Sequence, residues 1–302
     1  MKILVICGGK SPERDVSLKS GHKVYSTLLK LGYEADKYDW LMSESNDELI
    51  KIINKMREYD IIFLALHGDD GENGKVQALL DWHGIKYTGS DSEACLVTMN
   101  KFFSNLILKE YGILTPLRYC KSDTSLIKYP CVVKPISTGS SFGVSIVNNE
   151  IELQKAITQA SAYGEIIIEE YIEGREFSVG VIGDIALPVI EIIPSGVFYD
   201  YDNKYKQGNA EEICPAKVSV ALETELQHIA VKAHRALGLS VYSRTDFILD
   251  ENNRIYCLEV NALPGLTDTS LFPQEAKAAD IEFDYLCEII VKLSLKKYNN
   301  TY

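Results

Sequence analysis

The stretch VYSRTDFILDENNRIYCLEVN, residues 241–261, predicts two adjacent antiparallel strands near the end of the chain. Apolar, aromatic and β-branched residues dominate Val241–Leu249 and Arg254–Val260, as is typical of strands. Asparagine tolerates positive φ, so Asn252 and Asn253 predict a two-residue turn between the strands.

This hairpin places four polar side chains on one face of a sheet. Asp246 lies directly opposite Glu259, and Arg244 lies opposite Asn261. Two facing carboxylates repel each other unless one is protonated or a cation lies between them. Two carboxylates and a carboxamide suit Mg²⁺ bound together with phosphate oxygens, and backbone amides and hydroxyls follow at 264–270. The alternative is a solvated polar face on which Arg244 neutralises one acid.

A second candidate site is the loop KPISTGSSFG, Lys134–Gly143, between two apolar strand segments. The backbone N–H groups of such a loop, with a lysine at its start, can hold phosphates. Gly139, Ser141 and Gly143 also match a serine-hydrolase pattern. That pattern needs a helix after the serine, whereas Val144–Val147 continues as strand. A plain surface hairpin is the alternative.

Three other patterns are weaker. GKS at residues 9–11 resembles the end of a Walker A loop, but the glycine required five residues earlier is replaced by Leu4. No GxGxxG follows a strand, which argues against a dinucleotide oxidoreductase. The acidic run 165–176 favours a solvated edge over two nucleotide-facing carboxylates at Glu169 and Glu176.

The chain shows two successive patterns of secondary structure. Up to about residue 95, apolar strands alternate with helices, which is typical of a parallel sheet that binds ligands beyond the carboxyl ends of its strands. Gly8–Arg14 and His67–Gly74 then share one rim. Later segments, including a helix at Asn100–Tyr111 and a strand at Ala186–Ile193, indicate an α+β arrangement. The polar stretch Phe198–Ala210 is typical of a lid or binding loop.

Composition excludes several classes of protein. A chain of 302 residues with 46% hydrophobic and 25% charged residues is neither disordered nor collagen-like, and its length allows two or three domains. A net charge of −12 argues against nucleic-acid binding and against docking on an anionic membrane. The apolar run Ile3–Cys7 is too short for a signal sequence or a membrane span.

The cysteines and histidines indicate a cytoplasmic protein without structural zinc. The seven cysteines are odd in number and include no CxxC pair, which predicts free thiols in a reducing compartment. The five histidines have no zinc-binding spacing.

Taken in order, the motifs of this chain resemble those of the D-alanine–D-alanine ligases, an ATP-grasp family of bacterial cell-wall synthesis. The resemblance covers essentially the whole chain, and the order and spacing of the motifs are far more specific than any single one. The motifs are Gly8-Gly9 with Glu13-Arg14 and Val16-Ser17, Leu66-His67-Gly68 with Gly71-Glu72-x-Gly74, Asn100-Lys101, Val133-Lys134-Pro135, Gly139-Ser140-Ser141-x-Gly143, Glu176-Phe177, Phe198-Tyr199-Asp200-Tyr201 with Lys204-Tyr205, Cys214-Pro215-Ala216, Arg244-x-Asp246, and Leu258-Glu259-x-Asn261-x-x-Pro264-Gly265 with Ser270-Leu271.

The resemblance implies an α/β N-terminal parallel-sheet domain followed by α+β ATP-grasp lobes. The expected limits are 1–95 for the N-terminal substrate domain, 96–180 for the central lobe and 181–302 for the C-terminal lobe with the metal and substrate site. It also implies ATP, two Mg²⁺ ions for which Mn²⁺ could substitute, two molecules of D-alanine, and a homodimer.

The resemblance also implies site residues. Glu170 departs from a lysine often found beside the adenine, and His67, as a lone histidine, has a structural role as its alternative. A hydrogen-bond chain from Tyr205 through Ser140 to Glu13 would latch the 198–210 loop over the site. The implied nucleotide contacts are Lys101, Lys134, Ser140, Glu169, Glu170, Ile172, Glu176 and Lys204; the metal ligands Asp246, Glu259 and Asn261; the catalytic residues Glu13, Ser140, Tyr205, Arg244 and Gly265; and the D-alanine contacts Glu13, His67, Lys204, Tyr205, Arg244, Gly265, Ser270 and Leu271.

The implied reaction joins two D-alanines for peptidoglycan synthesis. One carboxylate attacks the γ-phosphate of ATP, and the amine of the second D-alanine then displaces phosphate from the acyl phosphate. Tyr205 implies a dipeptide product, because relatives that make the D-alanine–D-lactate ester lack it. The alternatives are an ATP-grasp ligase for a different amino-acid or hydroxy-acid pair, and a non-catalytic nucleotide-binding module.

Overall fold

The first sheet consists of three parallel strands. A computed structural model describes residues 1–41, 45–120, 124–194 and 210–299 of the protein. In it, the middle strand β1 (Lys2–Gly8) pairs with β2 (Glu34–Trp40) on one side and with β3 (Ile61–Leu64) on the other. Nearly every side chain of β1 is buried, as expected of a strand covered on both faces. The predicted N-terminal α/β fold is confirmed.

Helices cover this sheet and lead into the next part of the chain. Among the described residues, six helices precede the second sheet, in the order α1 (Arg14–Lys30), α2 (Asn46–Met56), α3 (Asp69–Glu72), α4 (Lys75–Trp82), α5 (Ser92–Met99) and α6 (Lys101–Glu110).

The second and third sheets are mainly antiparallel, as the α+β prediction required. The central sheet has the order β4-β7-β5-β6 and the C-terminal sheet the order β11-β10-β8-β12-β13, with β9 beside β8. The elements are β4 (Arg118–Tyr119), β5 (Cys131–Pro135), β6 (Ser145–Val147), α7 (Glu150–Ala160), β7 (Ile166–Glu170), β8 (Gly174–Ile182), β9 (Ile185–Ala186), β10 (Ile190–Pro194), β11 (Ala210–Ile213), α8 (Val220–Ala236), β12 (Tyr242–Asp250), β13 (Ile255–Asn261), α9 (Leu271–Ala278) and α10 (Phe283–Asn299), with 3₁₀ turns at Thr124–Leu126 and Ser161–Tyr163.

One predicted strand differs from the structure, and one predicted helix is confirmed. The single strand predicted over Ala186–Ile193 is interrupted between β9 and β10, where Pro188 cannot donate a backbone hydrogen bond. The predicted helix at Asn100–Tyr111 is confirmed as α6, and a further helix, α5, precedes it. Asn100 ends α5 and caps α6, since its side chain accepts hydrogen bonds from the backbone N–H groups of Phe102 and Phe103.

The apolar clusters link distant parts of the chain. Leu286 and Ile290 of the C-terminal helix α10 share one cluster with the first sheet. Leu108 of α6 shares another with Phe177 of β8 and Phe247 of β12. The predicted domain limits 1–95, 96–180 and 181–302 stay a prediction. Within the described part of the chain, no helix combines the length and hydropathy that a membrane span requires.

The predicted common rim of the first sheet is confirmed. The Ser11 hydroxyl donates to the carbonyl of His67 at 2.7 Å, which joins the loop after β1 to the loop after β3. The site described below is built against this rim.

Gly21 sets the distance between α1 and β1. A Cβ atom at Gly21 would overlap the Cβ and Sγ atoms of Cys7 on β1. Alanine normally stabilises a helix by up to about 1 kcal/mol relative to glycine. We expect Gly21→Ala to lower the free energy of unfolding by about 1–3 kcal/mol instead, because the core is overpacked.

Urea unfolding measures this change. Lys19→Ala, at an exposed position of the same helix, is the matched control and should stay close to the wild type. A Gly21→Ala protein as stable as the wild type, or more so, would contradict the packing argument.

Candidate active site

The hairpin β12–β13 has the predicted pairing, although its turn differs from the prediction. Asp246 pairs with Glu259 and Arg244 with Asn261. The two-residue turn is wrong: Asp250 N–H donates to the carbonyl of Arg254, so the loop has three residues. A β-bulge after Asp246 shifts the register by one residue and restores the predicted pairs.

Asp246 is a buried carboxylate held by four donors. Both of its oxygens accept from Arg244, at 2.9 Å from Nε and 2.8 Å from Nη2. Ser178 donates at 2.8 Å and the Asn261 amide at 3.1 Å. Burial alone would lower the pKa of Arg244, but the charge of Asp246 and the hydrogen bonds to it raise that pKa above its ordinary value. The guanidinium therefore stays charged inside the site.

Glu259 has a different cation beside it. Lys101 Nζ lies 3.3 Å from Glu259 Oε2 and donates to the carbonyl of Thr138 at 2.7 Å. The backbone N–H of Lys101 donates to the carbonyl of Ile136 at 3.0 Å. Lys101 thus joins α6 to the glycine- and serine-rich loop and to β13.

These contacts bear on the predicted magnesium ligands. Asp246, Glu259 and Asn261 face one cavity and supply hard oxygen atoms, which fits Mg²⁺. The alternative role of Arg244 is also present, since it neutralises Asp246, although Asp246 itself is buried and the other three side chains of the face are only partly exposed. Among the residues with described positions, no cluster of three or more His, Cys, Asp and Glu side chains could hold a metal; the third predicted ligand is the carboxamide of Asn261.

A cavity of about 380 Å³ separates the central and C-terminal sheets. Lys134 Nζ and Glu169 Oε2 form an ion pair of 2.6 Å on its wall, and Glu169 is only 1% exposed. A solvated edge is therefore wrong for Glu169. The cavity brings together six of the predicted nucleotide contacts and two predicted metal ligands, namely Lys101, Lys134, Glu169, Glu170, Ile172, Glu176, Asp246 and Glu259.

A smaller cavity of about 70 Å³ adjoins the first, since Glu176, Ile192, Asp246 and Glu259 line both. It lies between the rim of the first sheet and the end of β13. It brings together Glu13, His67, Ser140, Arg244, Gly265, Ser270 and Leu271, which are predicted catalytic and D-alanine contacts.

Glu13 is enclosed by two loops. The Ser140 hydroxyl donates to Glu13 Oε1, and this contact supports the predicted Ser140–Glu13 part of the latch. A Cβ atom at Gly68 or Gly139 would lie 2.6 or 2.7 Å from Glu13 Oε2. A larger residue at either position would therefore displace the Glu13 carboxylate, and the positive φ of Gly68 also favours glycine there.

His67 uses both ring nitrogens in contacts with the protein. Nδ1 lies 3.2 Å from the carbonyl of Leu263, which can only accept, and Nε2 lies 2.9 Å from Ser20 Oγ. Nδ1 therefore carries the proton, and Nε2 accepts from the Ser20 hydroxyl. Burial lowers the pKa of His67 to about 4, so the ring is neutral. These contacts favour the structural alternative and leave its predicted D-alanine contact untested.

Hydroxyl groups gather at the start of α9. Ser270 Oγ accepts from the backbone N–H of Thr267 at 3.1 Å and lies 2.7 Å from Thr267 Oγ1. A Cβ atom at Gly265 would lie 2.6 Å from Ser270 Oγ, so a larger residue there would displace the Ser270 hydroxyl. Lys204, Tyr205 and the 198–210 loop up to residue 209 lie outside the described residues.

Sequence reasoning missed several residues of the two cavities. Arg175 and Glu191 form a bidentate pair at 2.7 and 2.8 Å on the wall of the larger cavity. Glu72 lines the smaller one and accepts from the backbone N–H of Gly68 at 2.8 Å. Burial, with the charge of Glu13 nearby, raises the pKa of Glu72. The sequence feature that could have identified Glu72 is its position between Gly71 and Gly74 in one of the motifs shared with the family.

Comparisons with known proteins agree with this geometry. A family model described as "D-ala D-ala ligase C-terminus" matches residues 105–292, and one described as "D-ala D-ala ligase N-terminus" matches residues 42–90. The chain is similar to the D-alanine–D-alanine ligases of Geotalea uraniireducens (42% identity, covering 98% of this chain and 96% of the relative) and Pediococcus pentosaceus (38%, covering 99% of both).

Solved structures show the same similarity. A D-alanine–D-alanine ligase from Bacillus anthracis superposes with a TM-score of 0.87 at 33% identity, and its complex with ATP with a TM-score of 0.84 at 31% identity, each over 100% of both chains. The VanG D-Ala:D-Ser ligase from Enterococcus faecalis superposes with a TM-score of 0.81 at 28% identity, over 97% of this chain and 99% of that one.

The neutral state of His67 predicts a loss of stability in acid. Between its unfolded pKa of 6.5 and its folded value near 4, the unfolded chain binds the proton more tightly. The free energy of unfolding should therefore fall with decreasing pH, and His67 should contribute up to about 1.4 kcal/mol per pH unit.

Urea unfolding of wild-type, His67→Gln and His22→Gln proteins from pH 7 to 4.5 tests this contribution. We expect His67→Gln to show a shallower pH dependence than the wild type. The exposed control His22→Gln should follow the wild type. Parallel curves for wild type and His67→Gln would contradict the buried neutral imidazole.

Proposed function

Because the chain belongs to the D-alanine–D-alanine ligase family, we propose that it joins two D-alanines through a D-alanyl phosphate, with cleavage of ATP to ADP and phosphate, for peptidoglycan synthesis. The observation that carries this proposal is the meeting of two cavities at Asp246 and Glu259. One has the size and the lysines for a nucleotide. The other has a carboxylate for an ammonium group and a guanidinium for a carboxylate.

ATP would occupy the larger cavity with its phosphates toward Lys101, Lys134 and Ser140. The base would lie between the central and C-terminal sheets, against Glu169, Glu170 and Ile172, with Glu176 and Lys204 as further contacts. The apolar side chains of Val132, Ile192 and Leu258 line the same cavity and favour a flat aromatic base.

Asp246, Glu259 and Asn261 would hold magnesium, of which the resemblance implies two ions. The three least exposed cations of the described site each have an acidic partner: Arg244 pairs with Asp246, Lys101 with Glu259, and Lys134 with Glu169. The phosphate charge of ATP therefore lacks a full counter-charge from the described residues. Bound magnesium would supply that charge and polarise the γ-phosphate.

The first D-alanine would lie in the smaller cavity with its ammonium group on Glu13. Its carboxylate would then face the γ-phosphate and attack it in line. Positioning and electrostatics supply the catalysis, because no covalent bond to the enzyme is required. Phosphorylation converts a carboxylate oxygen into part of a good leaving group.

Arg244 and the backbone N–H of Gly265 would stabilise the tetrahedral intermediate formed when the second amine attacks. The hydrogen bonds of Arg244 to Asp246 use Nε and Nη2, which leaves Nη1 for the oxyanion. Ser270 and Leu271 at the start of α9, with Lys204 and Tyr205, would hold the second D-alanine. Closure of the 198–210 loop would exclude water, which otherwise hydrolyses the acyl phosphate.

The identity of the second substrate is the finer part of this proposal. One structural neighbour is a D-Ala:D-Ser ligase, so the fold alone does not select D-alanine. Tyr205 and the high identity to D-alanine–D-alanine ligases support the dipeptide.

A cytoplasmic homodimer is also part of the proposal. All seven cysteines lie in described segments and none forms a disulfide bond there, which supports a reducing compartment. Trp82 on α4 is 86% exposed, and Leu96, Phe103 and Leu106 on α5 and α6 are also exposed. Exposed apolar side chains of this kind support a protein interface.

Substrate dependence tests the proposed reaction. We expect ADP release to require D-alanine and Mg²⁺, and mass spectrometry to find D-alanyl-D-alanine as the main product when D-alanine, D-serine and D-lactate compete at neutral pH. ADP release indifferent to D-alanine would contradict ligation. If most of the product contained D-serine or D-lactate, D-alanine would be wrong as the proposed second substrate.

Carboxylate-to-amide variants test the metal ligands. Each of Asp246→Asn and Glu259→Gln removes one negative charge from the predicted ligand set, so we expect Mg²⁺ affinity to fall by at least about tenfold and turnover to be lost near physiological Mg²⁺. Magnetic-resonance titration with Mn²⁺ measures binding directly. Glu191→Gln, in the same cavity, is the matched control and should bind Mn²⁺ normally. Normal Mn²⁺ binding by both site variants would remove the assignment.

A further inference from the structure

Asn105 is a polar residue at a buried position of α6. It lies one helical turn after Lys101, so both side chains project from the same face of the helix. Asn105 is 4% exposed. Asparagine is a poor helix former, and burying a carboxamide is unfavourable unless hydrogen bonds compensate. This residue type therefore calls for a specific partner.

The partner of Asn105 is Glu169. Asn105 Nδ2 donates to Glu169 Oε1 at 2.9 Å. Asn105 Oδ1 is buried and has no hydrogen-bond partner among the described atoms. The bond to Glu169 is therefore the contact that explains a carboxamide at this position.

The carboxylate of Glu169 is held from two sides. Lys134 Nζ lies 2.6 Å from Oε2, and Asn105 Nδ2 lies 2.9 Å from Oε1. Donors on both oxygens fix the plane of the carboxylate. Each carboxylate oxygen can accept two hydrogen bonds, so both keep an acceptor site for a molecule in the cavity.

We propose that Asn105 is a positioning residue that orients Glu169 to accept a hydrogen bond from the exocyclic amine of the adenine. This inference rests on the proposed function, which places the base of ATP against Glu169. Asn105 does not itself line the cavity. Through Glu169 it would nevertheless govern the preference for a purine that carries an amine at C6.

The arrangement makes one face of α6 serve both ends of the nucleotide. Lys101 reaches Glu259 and the carbonyl of Thr138, where the phosphates would lie. Asn105 reaches Glu169, where the base would lie. Leu108 of the same helix packs in the cluster of the C-terminal sheet, so the Asn105–Glu169 bond also ties that cluster to the central sheet.

Asn105→Leu tests the proposal, because leucine has the same branched shape and number of side-chain heavy atoms and favours the helix but cannot donate. Losing a hydrogen bond to a buried charged group should raise the KM for ATP about tenfold, while kcat and the KM for D-alanine stay within about twofold. The decisive comparison uses the triphosphate of purine riboside, which lacks the C6 amine. The variant should lose most of the wild-type preference for ATP over this analogue.

The controls separate positioning from a general structural effect. Ser104→Ala changes an equally buried residue of the same helix and should keep the wild-type nucleotide preference. Asn105→Ala serves in the same comparison if Asn105→Leu does not fold. An unchanged KM for ATP, or an equal loss of affinity for both nucleotides, would overturn the proposal.

Nucleotide binding keeps this test distinct from the test of the reaction. Titration calorimetry with ATP and with the purine riboside triphosphate measures the preference without D-alanine and without turnover. A wild-type protein that binds ATP but ignores D-alanine would contradict the ligase and leave the role of Asn105 measurable. A ligase whose nucleotide preference is unchanged in Asn105→Leu would contradict only the role of Asn105.

Discussion

The ion pair between Arg244 and Asp246 is the interaction on which the site depends. Asp246 is buried and the Arg244 side chain is only 14% exposed, and charges with so little access to water are tolerated only with a partner and hydrogen bonds. Because Asp246 occupies Nε and Nη2 of the guanidinium, the pair fixes the direction in which Arg244 faces the smaller cavity. Ser178 and Asn261 donate the remaining hydrogen bonds to the Asp246 carboxylate and so connect the ion pair to the neighbouring strands.

The same pairing explains how a strongly acidic protein can receive an anionic nucleotide. The chain carries a net charge of −12, yet Lys101, Lys134 and Arg244 all line the cleft formed by the two adjoining cavities. Each of these cations already has an acidic partner there. Further carboxylates, including Glu13, Glu170 and Glu176, line the same cavities, so the cleft is acidic rather than positive. A divalent cation is therefore the natural counter-charge for the phosphates.

Sequence reasoning predicted the parts of this site that follow from local pattern. The β12–β13 hairpin placed Asp246 opposite Glu259, although the turn was one residue longer than expected and a bulge compensated for it. The fold class followed from alternating strands and helices in the first part of the chain. The order of the motifs then pointed to the family, which the comparisons establish.

The remainder depended on packing that the sequence pattern does not encode. From the local sequence, Glu169 seemed part of a solvated acidic edge. Its burial between Lys134 and Asn105 depends on the docking of α6 on the central sheet, which a local pattern does not reveal. Asn105 itself had no signal beyond its spacing from Lys101. For His67 the sequence left a D-alanine contact and a structural role open. The contacts with Ser20 and the Leu263 carbonyl, which favour the structural role, appear only once the two ends of the chain are packed together.

The central claim is that the carboxylate of one D-alanine attacks ATP at the junction of the two cavities. D-alanine labelled with ¹⁸O in its carboxyl group tests this step directly, because the attacking oxygen leaves with the phosphate when the peptide bond forms. The account predicts one ¹⁸O atom transferred to each inorganic phosphate released. Phosphate without ¹⁸O, formed while the dipeptide accumulates, would contradict it.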